Sequence, residues 1–301
     1  MINRLAIIGV GLIGGSFALA MRERGLCREI TGYDSSADCL TRAVESGVLD
    51  EGASTVEEAV RSADLILLSV PILSMEQILS EIEQALWHDG APVRQNLVIT
   101  DVGSVKSNLL SAAEKVFGAI PACLVPGHPI AGSEKHGVTA ARADLFDKHK
   151  VILTPVDQTS PEAERVVAQL WQAMGTEVIT MDAGHHDQVL AGTSHLPHLL
   201  AYALVDTLSA QGDSLEIFRY AAGGFRDFTR IAASDPVMWR DIFAANGDEV
   251  IKFLDRYMQD LSALRDALDS GNNDYLLDVF QRARSAREHF SSTYDNDKSQ
   301  D

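Results

Sequence analysis

Cysteine and basic residues are both scarce in this chain, and each scarcity excludes a class of protein. The 301 residues include three cysteines, Cys27, Cys39 and Cys123, which are too few and too widely spaced for a disulfide framework or a zinc pattern. The 25 Lys and Arg against 43 Asp and Glu give a net charge of −18, which disfavours nucleic acid or an anionic membrane as a partner. Because so few cysteines are typical of a reducing compartment, we expect a cytoplasmic protein.

Long hydrophobic runs are also missing. No stretch approaches the ~18 unbroken apolar residues of a membrane span, so we expect no membrane association. Arg4 followed by the uncharged residues 5–21 resembles a signal peptide, but the four glycines within that stretch argue against this interpretation. The length predicts about two domains.

The N-terminal segment contains a dinucleotide-binding fingerprint. The apolar run Leu5–Ile8 is typical of a buried strand, and the pattern Gly9-x-Gly11-x-x-Gly14 follows it where a helix should begin. Gly9 permits the tight turn, Gly11 permits close approach of the backbone to a pyrophosphate, and Gly14 permits close packing of helix on strand. A glycine-rich turn that binds nothing is the alternative interpretation.

Asp34 ends the next predicted strand, where its carboxylate can bind a ribose hydroxyl. Its charge would repel a 2′-phosphate, and no arginine follows it in residues 35–38, so we predict NAD as the cofactor rather than NADP. The predicted cofactor contacts are Gly9, Gly11, Leu12, Ile13, Gly14, Asp34, Val70 and Pro71.

Strand and helix patterns alternate in the first part of the chain and give way to helix patterns near Met181. Predicted strands are Leu5–Ile8, Glu29–Tyr33, Leu65–Val70, Leu97–Thr100, Cys123–Val125, Val151–Thr154 and Glu177–Thr180, and predicted helices between them include Ala37–Glu45, Ser74–Trp87 and Pro161–Met174. We therefore predict an α/β fold in which an N-terminal Rossmann-type doubly wound parallel sheet (residues 1–181) precedes an all-helical dimerisation domain (182–290). Within the latter, Ser194–Leu208, Pro236–Ala267 and Asp274–Phe290 have helical patterns. Residues 291–301 are polar and predicted to be a disordered tail.

Two polar segments follow predicted strands, at the sheet edge where such folds bind ligands. Ser104 follows the strand Leu97–Thr100, where it can contact a ligand, cap a helix N-terminus, or do both. His128 follows Cys123–Val125 between a glycine and a proline. Its imidazole titrates in the range needed to accept a hydroxyl proton during hydride transfer, although a surface-loop histidine is the alternative.

A histidine-rich segment spans residues 185–198. His195 and His198 are three residues apart and share a helix face. We predict no metal site, because no cysteine or spaced acid completes a coordination shell. Hydrogen-bond donors for an anionic substrate are the favoured interpretation, and polar residues buried at an interdomain contact are the alternative.

An arginine-rich segment spans residues 223–240, with Arg226 and Arg230 spaced i, i+4. The planar guanidinium matches a carboxylate, which indicates an anion site in so acidic a chain. The alternative is pairing with Asp227, Asp235 or Asp241. We expect at least one arginine of the segment to be paired and one to remain available for a ligand.

Taken together, these segments resemble prephenate dehydrogenases, including the broader cyclohexadienyl dehydrogenases of tyrosine biosynthesis. The motifs GHPIAGSE at 127–134, SHLPH at 194–198 and GGFRDFTRIAASDPVMWRDI at 223–242 carry the resemblance. It implies a homodimer that uses NAD for the oxidative decarboxylation of prephenate to 4-hydroxyphenylpyruvate. In that reaction the ring carbon bearing the hydroxyl loses a hydride, carbon dioxide leaves, and the ring becomes aromatic without help from a metal.

The resemblance also implies residue roles. His128 matches the histidine that binds and deprotonates the ring hydroxyl, Ser104 the serine that orients it, and Arg230 the arginine that holds a substrate carboxylate. Further positions matched to the substrate pocket are Glu134, His186, Ser194, His195, His198 and Trp239.

Three alternative functions stay open on sequence alone. Arogenate or dual-specificity dehydrogenases use the same chemistry on a substrate with an ammonium in place of the side-chain keto group. A 3-hydroxyacid dehydrogenase would need a lysine on a helix of the second domain, and none occurs between Lys150 and Lys252. A non-catalytic NAD-binding sensor would keep the glycines without assembling His128, Ser104 and Arg230, all of which are present.

Overall fold

The computed structural model describes residues 2–133, 135–210 and 219–299. A six-stranded parallel sheet is formed by β1 (Ile2–Ile8), β2 (Cys27–Tyr33), β3 (Glu51–Gly52), β4 (Leu65–Leu68), β5 (Val98–Asp101) and β6 (Leu124–Val125). Its strand order is β3-β2-β1-β4-β5-β6, with every pair parallel. This is the order of a Rossmann sheet, so the predicted fold class is confirmed for this part of the chain.

Helices cover both faces of the sheet. They are α1 (Leu12–Glu23), α2 (Ala37–Glu45), α3 (Val56–Val60), α4 (Met75–Leu86), α5 (Lys106–Phe117) and α6 (Pro161–Ala173). Adjacent residues of β1 enter opposite cores: Ile7 packs in the cluster of Phe17 and Trp171, and Ile8 packs in that of Leu79. Burial on both faces explains why the strands are continuous apolar runs rather than alternating ones.

A second, three-stranded sheet consists of β7 (Gly127–Pro129), β8 (Lys150–Leu153) and β9 (Glu177–Thr180). Strand β8 is antiparallel to β7 and parallel to β9, and His128 on β7 is paired with Ile152. The strands predicted at 151–154 and 177–180 therefore exist, but outside the parallel sheet. Strand β7 was not predicted, because glycine and proline at its ends are typical of loops.

The second half of the chain is helical, as predicted. It comprises α7 (Ala183–Leu190), a π-helical turn (Ala191–His195), α8 (Leu196–Ser209), α9 (Gly223–Thr229), a 3₁₀ turn (Arg230–Ala233), α10 (Pro236–Ser270) and α11 (Asn273–Ser299). Helix α10 is kinked at Asn246, where φ is −120° and ψ is 22°. Within the described ranges, no helix is both long and apolar enough to cross a membrane.

Two compact units span residues 1–250 and 251–301, and the predicted boundary at 181/182 stays a prediction. Helix α11 continues through residues 291–299, where the sequence predicts a disordered tail. An existing helix extends at little cost, because each added residue gains one hydrogen bond without a new nucleation step. Residues 300 and 301 of that tail lie outside the described residues.

Candidate active site

Three glycines shape the turn between β1 and α1, each for a different steric reason. Gly9 has φ +93°, and a Cβ there would lie 2.3 Å from the carbonyl oxygen of Ser69. A Cβ on Gly14 would lie 2.2 Å from the carbonyl oxygen of Gly9, so the helix can pack this close only without a side chain. A Cβ on Gly11 would meet no atom within 4 Å. The backbone at Gly11 is therefore open to a ligand.

The N-terminus of α1 is suited to an anion. Among the described residues it has no side-chain cap, and its first turn contains no acidic residue. By contrast, Ser36 caps α2 and Asp182 caps α7. The first backbone N–H groups of α1, together with the positive end of its dipole, thus fit the pyrophosphate of a dinucleotide.

Asp34 lies at the end of β2, next to this turn. Its Oδ2 accepts a hydrogen bond from the amide of Val10 and its Oδ1 accepts one from the amide of Ser36, both at 2.9 Å. These bonds fix the direction of the carboxylate and tie it to the glycine turn. Each oxygen retains a second acceptor position, which is what binding a ribose diol requires.

A cavity of about 500 Å³ lies at the carboxyl ends of the parallel strands, the edge at which such sheets bind ligands. The predicted site residues that line it are Gly11, Leu12, Ile13, Val70, Pro71, Ser104 and His128. Its opposite wall comes from residues 234–242, including Asp241 and Ile242. The glycine turn, the serine and the histidine therefore share one cavity, although they are distant in sequence.

Ser104 does not cap a helix. Helix α5 begins at Lys106 with Val105 at the capping position, and its first amides are bound by the carboxylate of Asp187 instead. The amides of Lys106 and Ser107 donate to Oδ1 and Oδ2 of Asp187, each at 2.8 Å. Of the two predicted roles for Ser104, the structure supports the position at a ligand cavity.

A chain of hydrogen bonds runs inward from His128. Its Nδ1 lies 2.9 Å from Nε2 of His186, and Nδ1 of His186 lies 2.8 Å from Oδ1 of Asp187. The side chain of His186 is 0% exposed, so the predicted contact with substrate is corrected: His186 lies behind His128. Burial lowers the pKa of His128 well below its usual value, and the neighbouring His186 and Lys106 lower it further. His128 is therefore neutral near neutral pH, as a proton acceptor must be.

Asp187 and its neighbours complete this network. Burial raises the pKa of Asp187, but hydrogen bonds from His186 and the α5 amides outweigh burial and lower it overall. Asn246, at the kink of α10, donates through Nδ2 to the carbonyl oxygen of Asp187 at 2.9 Å. The same nitrogen lies 3.0 Å from Nδ1 of His195. His195 is only 1% exposed and belongs to this buried network, which favours the alternative of a buried polar residue over direct contact with an anionic substrate.

A buried ion pair lies beneath Ser104 and His128. The Nζ of Lys106 lies 2.5 Å from Oδ2 of Asp101 and 2.6 Å from the carbonyl oxygen of Gly127, and both charged side chains are 0% exposed. Asp101 also accepts from the amides of Gly103 and Gly127 at 2.7 and 2.9 Å. Burial lowers the pKa of Lys106, and the charge of Asp101 opposes that shift. This pair joins the segment that carries Ser104 to strand β7, which carries His128.

Three more predicted substrate residues lie beside the cavity: Ser194, His198 and Trp239. His198 stacks on Trp239 with ring centroids 3.7 Å apart, and its Nδ1 donates to the carbonyl oxygen of Ser194 at 2.9 Å. Trp239 packs in one cluster with Ile72 and Ile242, which line the cavity. Glu134 lies outside the described residues.

At least one arginine of the arginine-rich segment is paired. Arg240 pairs with Asp241 through Nη2 and Nε at 2.6 and 2.7 Å, which confirms that one arginine is paired. Arg230 begins the 3₁₀ turn after α9. Burial is the largest cause of the lowered pKa of His198, and the charge of the nearby Arg230 lowers it further.

The buried histidines predict acid sensitivity of the fold. Burial lowers the pKa of His195 to about 4 from its usual 6.5. Between these values the unfolded chain binds a proton that the native protein does not, so the free energy of unfolding falls as pH falls through this window. From about pH 7 to pH 5 we expect His195 alone to account for a loss of about 2 kcal/mol. Urea unfolding at the two pH values measures this loss.

The matched control for this measurement is His185, an exposed histidine on α7. His185→Gln should keep the wild-type pH dependence, whereas His195→Gln should reduce it by the share that His195 contributes. A wild-type protein equally stable at both pH values would contradict neutral burial of His195. His128 and His198 also have lowered pKa values and act in the same direction.

Sequence reasoning missed four residues of the site: Asp101, Lys106, Asp187 and Asn246. Asp101 and Lys106 flank the segment that contains Ser104, and Asp187 directly follows His186. Their positions were visible, but their contacts depend on residues distant in the chain, such as the 81-residue separation between Lys106 and Asp187.

Comparison with known proteins agrees with this geometry. The family model "Prephenate dehydrogenase, nucleotide-binding domain" matches residues 17–180, and "Prephenate dehydrogenase, dimerization domain" matches residues 182–282. The chain belongs to the prephenate dehydrogenase family. Membership confirms the predicted family and enzyme class, and the 3-hydroxyacid dehydrogenase and sensor alternatives are set aside.

Relatives in the family cover nearly the whole chain. The cyclohexadienyl dehydrogenase of Zymomonas mobilis is 38% identical over 97% of this chain and 98% of its own length. The prephenate dehydrogenase of Bacillus subtilis is 35% identical over 96% of this chain and 76% of its own. A crystal structure of Aquifex aeolicus prephenate dehydrogenase with hydroxyphenyl propionate and NAD⁺ has a TM-score of 0.86 and 35% identity, covering 96% of this chain and 99% of that one.

Proposed function

We propose that this protein catalyses the NAD-dependent oxidative decarboxylation of prephenate to 4-hydroxyphenylpyruvate in tyrosine biosynthesis. The observation that carries the proposal is the presence of His128, Ser104 and the uncapped N-terminus of α1 around one cavity. Family membership, and a relative that binds NAD⁺ with a hydroxyphenyl acid, support it.

The cofactor contacts follow from the fit described above. The first amides of α1 would hold the pyrophosphate, and Asp34 would bind the ribose hydroxyls. Val70 and Pro71 line the cavity and would contact the cofactor there. NAD, when bound, accepts the hydride from the ring carbon that bears the hydroxyl.

The chain's own residues supply a base, orientation and a counter-charge. His128 is neutral and has its Nδ1 bound to His186, so its Nε2 is the nitrogen that can take the hydroxyl proton. Ser104 lines the same cavity and would orient the hydroxyl by a hydrogen bond. Arg230 would hold a substrate carboxylate. Such groups act by fixing the reacting carbon in place and by accepting one proton.

Arogenate is the alternative substrate, since one relative is a cyclohexadienyl dehydrogenase. A spectrophotometric assay of NADH or NADPH formation with each cofactor and each substrate tests the proposal. We expect turnover with NAD and prephenate, and little with NADP because of the charge of Asp34. Turnover of arogenate alone would assign the alternative, and no turnover of either would refute the proposed function.

Arg230→Ala should raise the KM for prephenate at least about tenfold, because a charge-assisted hydrogen bond contributes about 1.5–3 kcal/mol. Arg226→Ala, one helical turn earlier and equally exposed, is the matched control and should leave KM close to that of the wild type. Steady-state kinetics measure both. An unchanged KM in Arg230→Ala would mean that the carboxylate binds elsewhere.

We also propose a homodimer, with the domain boundary at 181/182. The matched dimerization model supports the dimer, and the two family models meet at this boundary. Large apolar side chains of residues 251–280 are exposed in the single chain, among them Met258 (57%), Leu268 (68%) and Phe280 (59%). Such a surface is typical of an interface. A monomer in sedimentation at micromolar concentration would contradict the proposal.

We also propose a cytoplasmic location, with which the three free cysteines are consistent.

A further inference from the structure

The hydrogen-bond chain behind His128 ends on a carboxylate that can only accept. Asp187 receives the amides of Lys106 and Ser107 and faces Nδ1 of His186. Because an ionised carboxylate has no proton to donate, Nδ1 of His186 must carry one. The first two amides of α5 hold this carboxylate in place: Lys106 donates to Oδ1, the oxygen that faces His186, and Ser107 donates to Oδ2.

The proton on His186 decides the tautomer of His128. In a neutral His186 with its proton on Nδ1, Nε2 has a lone pair and accepts. The atom that lies 2.9 Å from it is Nδ1 of His128, which must therefore donate. His128 is then protonated on Nδ1, and the lone pair on Nε2 is left for the cavity that His128 lines.

We propose that His186 and Asp187 are positioning residues that hold His128 in the Nδ1-protonated tautomer, with Nε2 as its basic nitrogen. This inference rests on the proposed role of His128 as the proton acceptor. It replaces substrate contact as the function of His186. When His128 takes a proton on Nε2, the resulting positive charge is shared along the chain toward the carboxylate of Asp187, while both rings stay in place.

The direct test is the protonation state of His128, read by ¹⁵N NMR of histidine-labelled protein at neutral pH. The chain has nine histidines, and His128→Asn identifies the signal. We expect Nδ1 to be protonated and Nε2 to be the bare nitrogen in the wild type. A His128 protonated on Nε2 would overturn the inference. The NMR measurement does not depend on catalytic activity, so its outcome can be distinguished from a failure of the proposed function.

Two variants of His186 separate positioning from packing. His186→Phe keeps a ring but removes both nitrogens, so we expect both tautomers of His128 in NMR and a kcat lowered at least about tenfold, with little change in KM. His186→Gln keeps one acceptor and one donor. It should restore the Nδ1-protonated tautomer and most of kcat. Both leave the bonds from Asp187 to α5 intact.

The matched control is His185→Phe, the same substitution on the preceding, exposed residue of α7. It should keep the wild-type NMR signals and kcat. His186→Phe with wild-type kcat would overturn the inference, as would His186→Gln being as impaired as His186→Phe. If the tautomer is as expected but His128→Asn retains full activity, the proposed role of His128 fails instead.

Discussion

Replacement of His128 by asparagine is expected to lower kcat by about 10²–10⁴-fold, the usual range for loss of a general base. Asparagine retains a polar side chain on β7 but cannot accept a proton at neutral pH. The glycine turn and Asp34 are on other elements, so the Kd for NADH should stay close to that of the wild type. Steady-state assays with prephenate measure kcat, and fluorescence titration with NADH measures the Kd.

The matched control for this substitution is His136, an exposed histidine that also lines the cavity. It is not a member of the hydrogen-bond chain formed by His128, His186 and Asp187. We therefore expect His136→Asn to change kcat by less than about tenfold. Wild-type turnover in His128→Asn would remove His128 from the mechanism. A large loss of NADH binding in that variant would show that its role is structural.

Replacement of Lys106 by methionine should destabilise the protein by about 3–5 kcal/mol, the cost of leaving one member of a buried ion pair without its partner. The carboxylate of Asp101 would keep its bonds to the amides of Gly103 and Gly127 but lose its counter-charge. Methionine is unbranched like lysine and only one atom shorter, so a packing defect contributes little. Urea unfolding monitored by circular dichroism measures the change.

The control for this prediction lies on the same helix. Lys115 pairs with Glu76 at the surface, with side chains 69% and 50% exposed, and exposed pairs contribute about 0–1 kcal/mol. Lys115→Met should therefore change the free energy of unfolding by less than about 1 kcal/mol. Equal losses in the two variants would contradict a special role for the buried pair. Since Lys106 also joins the segment of Ser104 to strand β7, which carries His128, its variant should lose activity even below the unfolding transition.

Most of the fold was predictable because its signals are local. Apolar runs mark the buried strands β1, β2, β4 and β5, and Gly9, Gly11 and Gly14 mark the turn whose steric limits require glycine. The strand β7 was missed because Gly127 and Pro129 are typical of loops, and only pairing with β8 makes the segment extended. The small sheet could not be separated from the large one for the same reason: pairing is a long-range contact.

The sequence predicted some residues of the site, such as Ser104 and His128, but not how the site is arranged. The sequence by itself determined the family, the cofactor turn and the histidine and serine of the cavity, because each follows from residue types within a few positions. Only the tertiary structure decided that His186 lies behind His128 and that Asp187 caps α5. It alone joined Lys106 to Asp101 in a buried pair. A histidine or lysine in a sequence does not reveal how deeply its side chain is buried or which group it pairs with. Both depend on packing between segments that are distant in the chain.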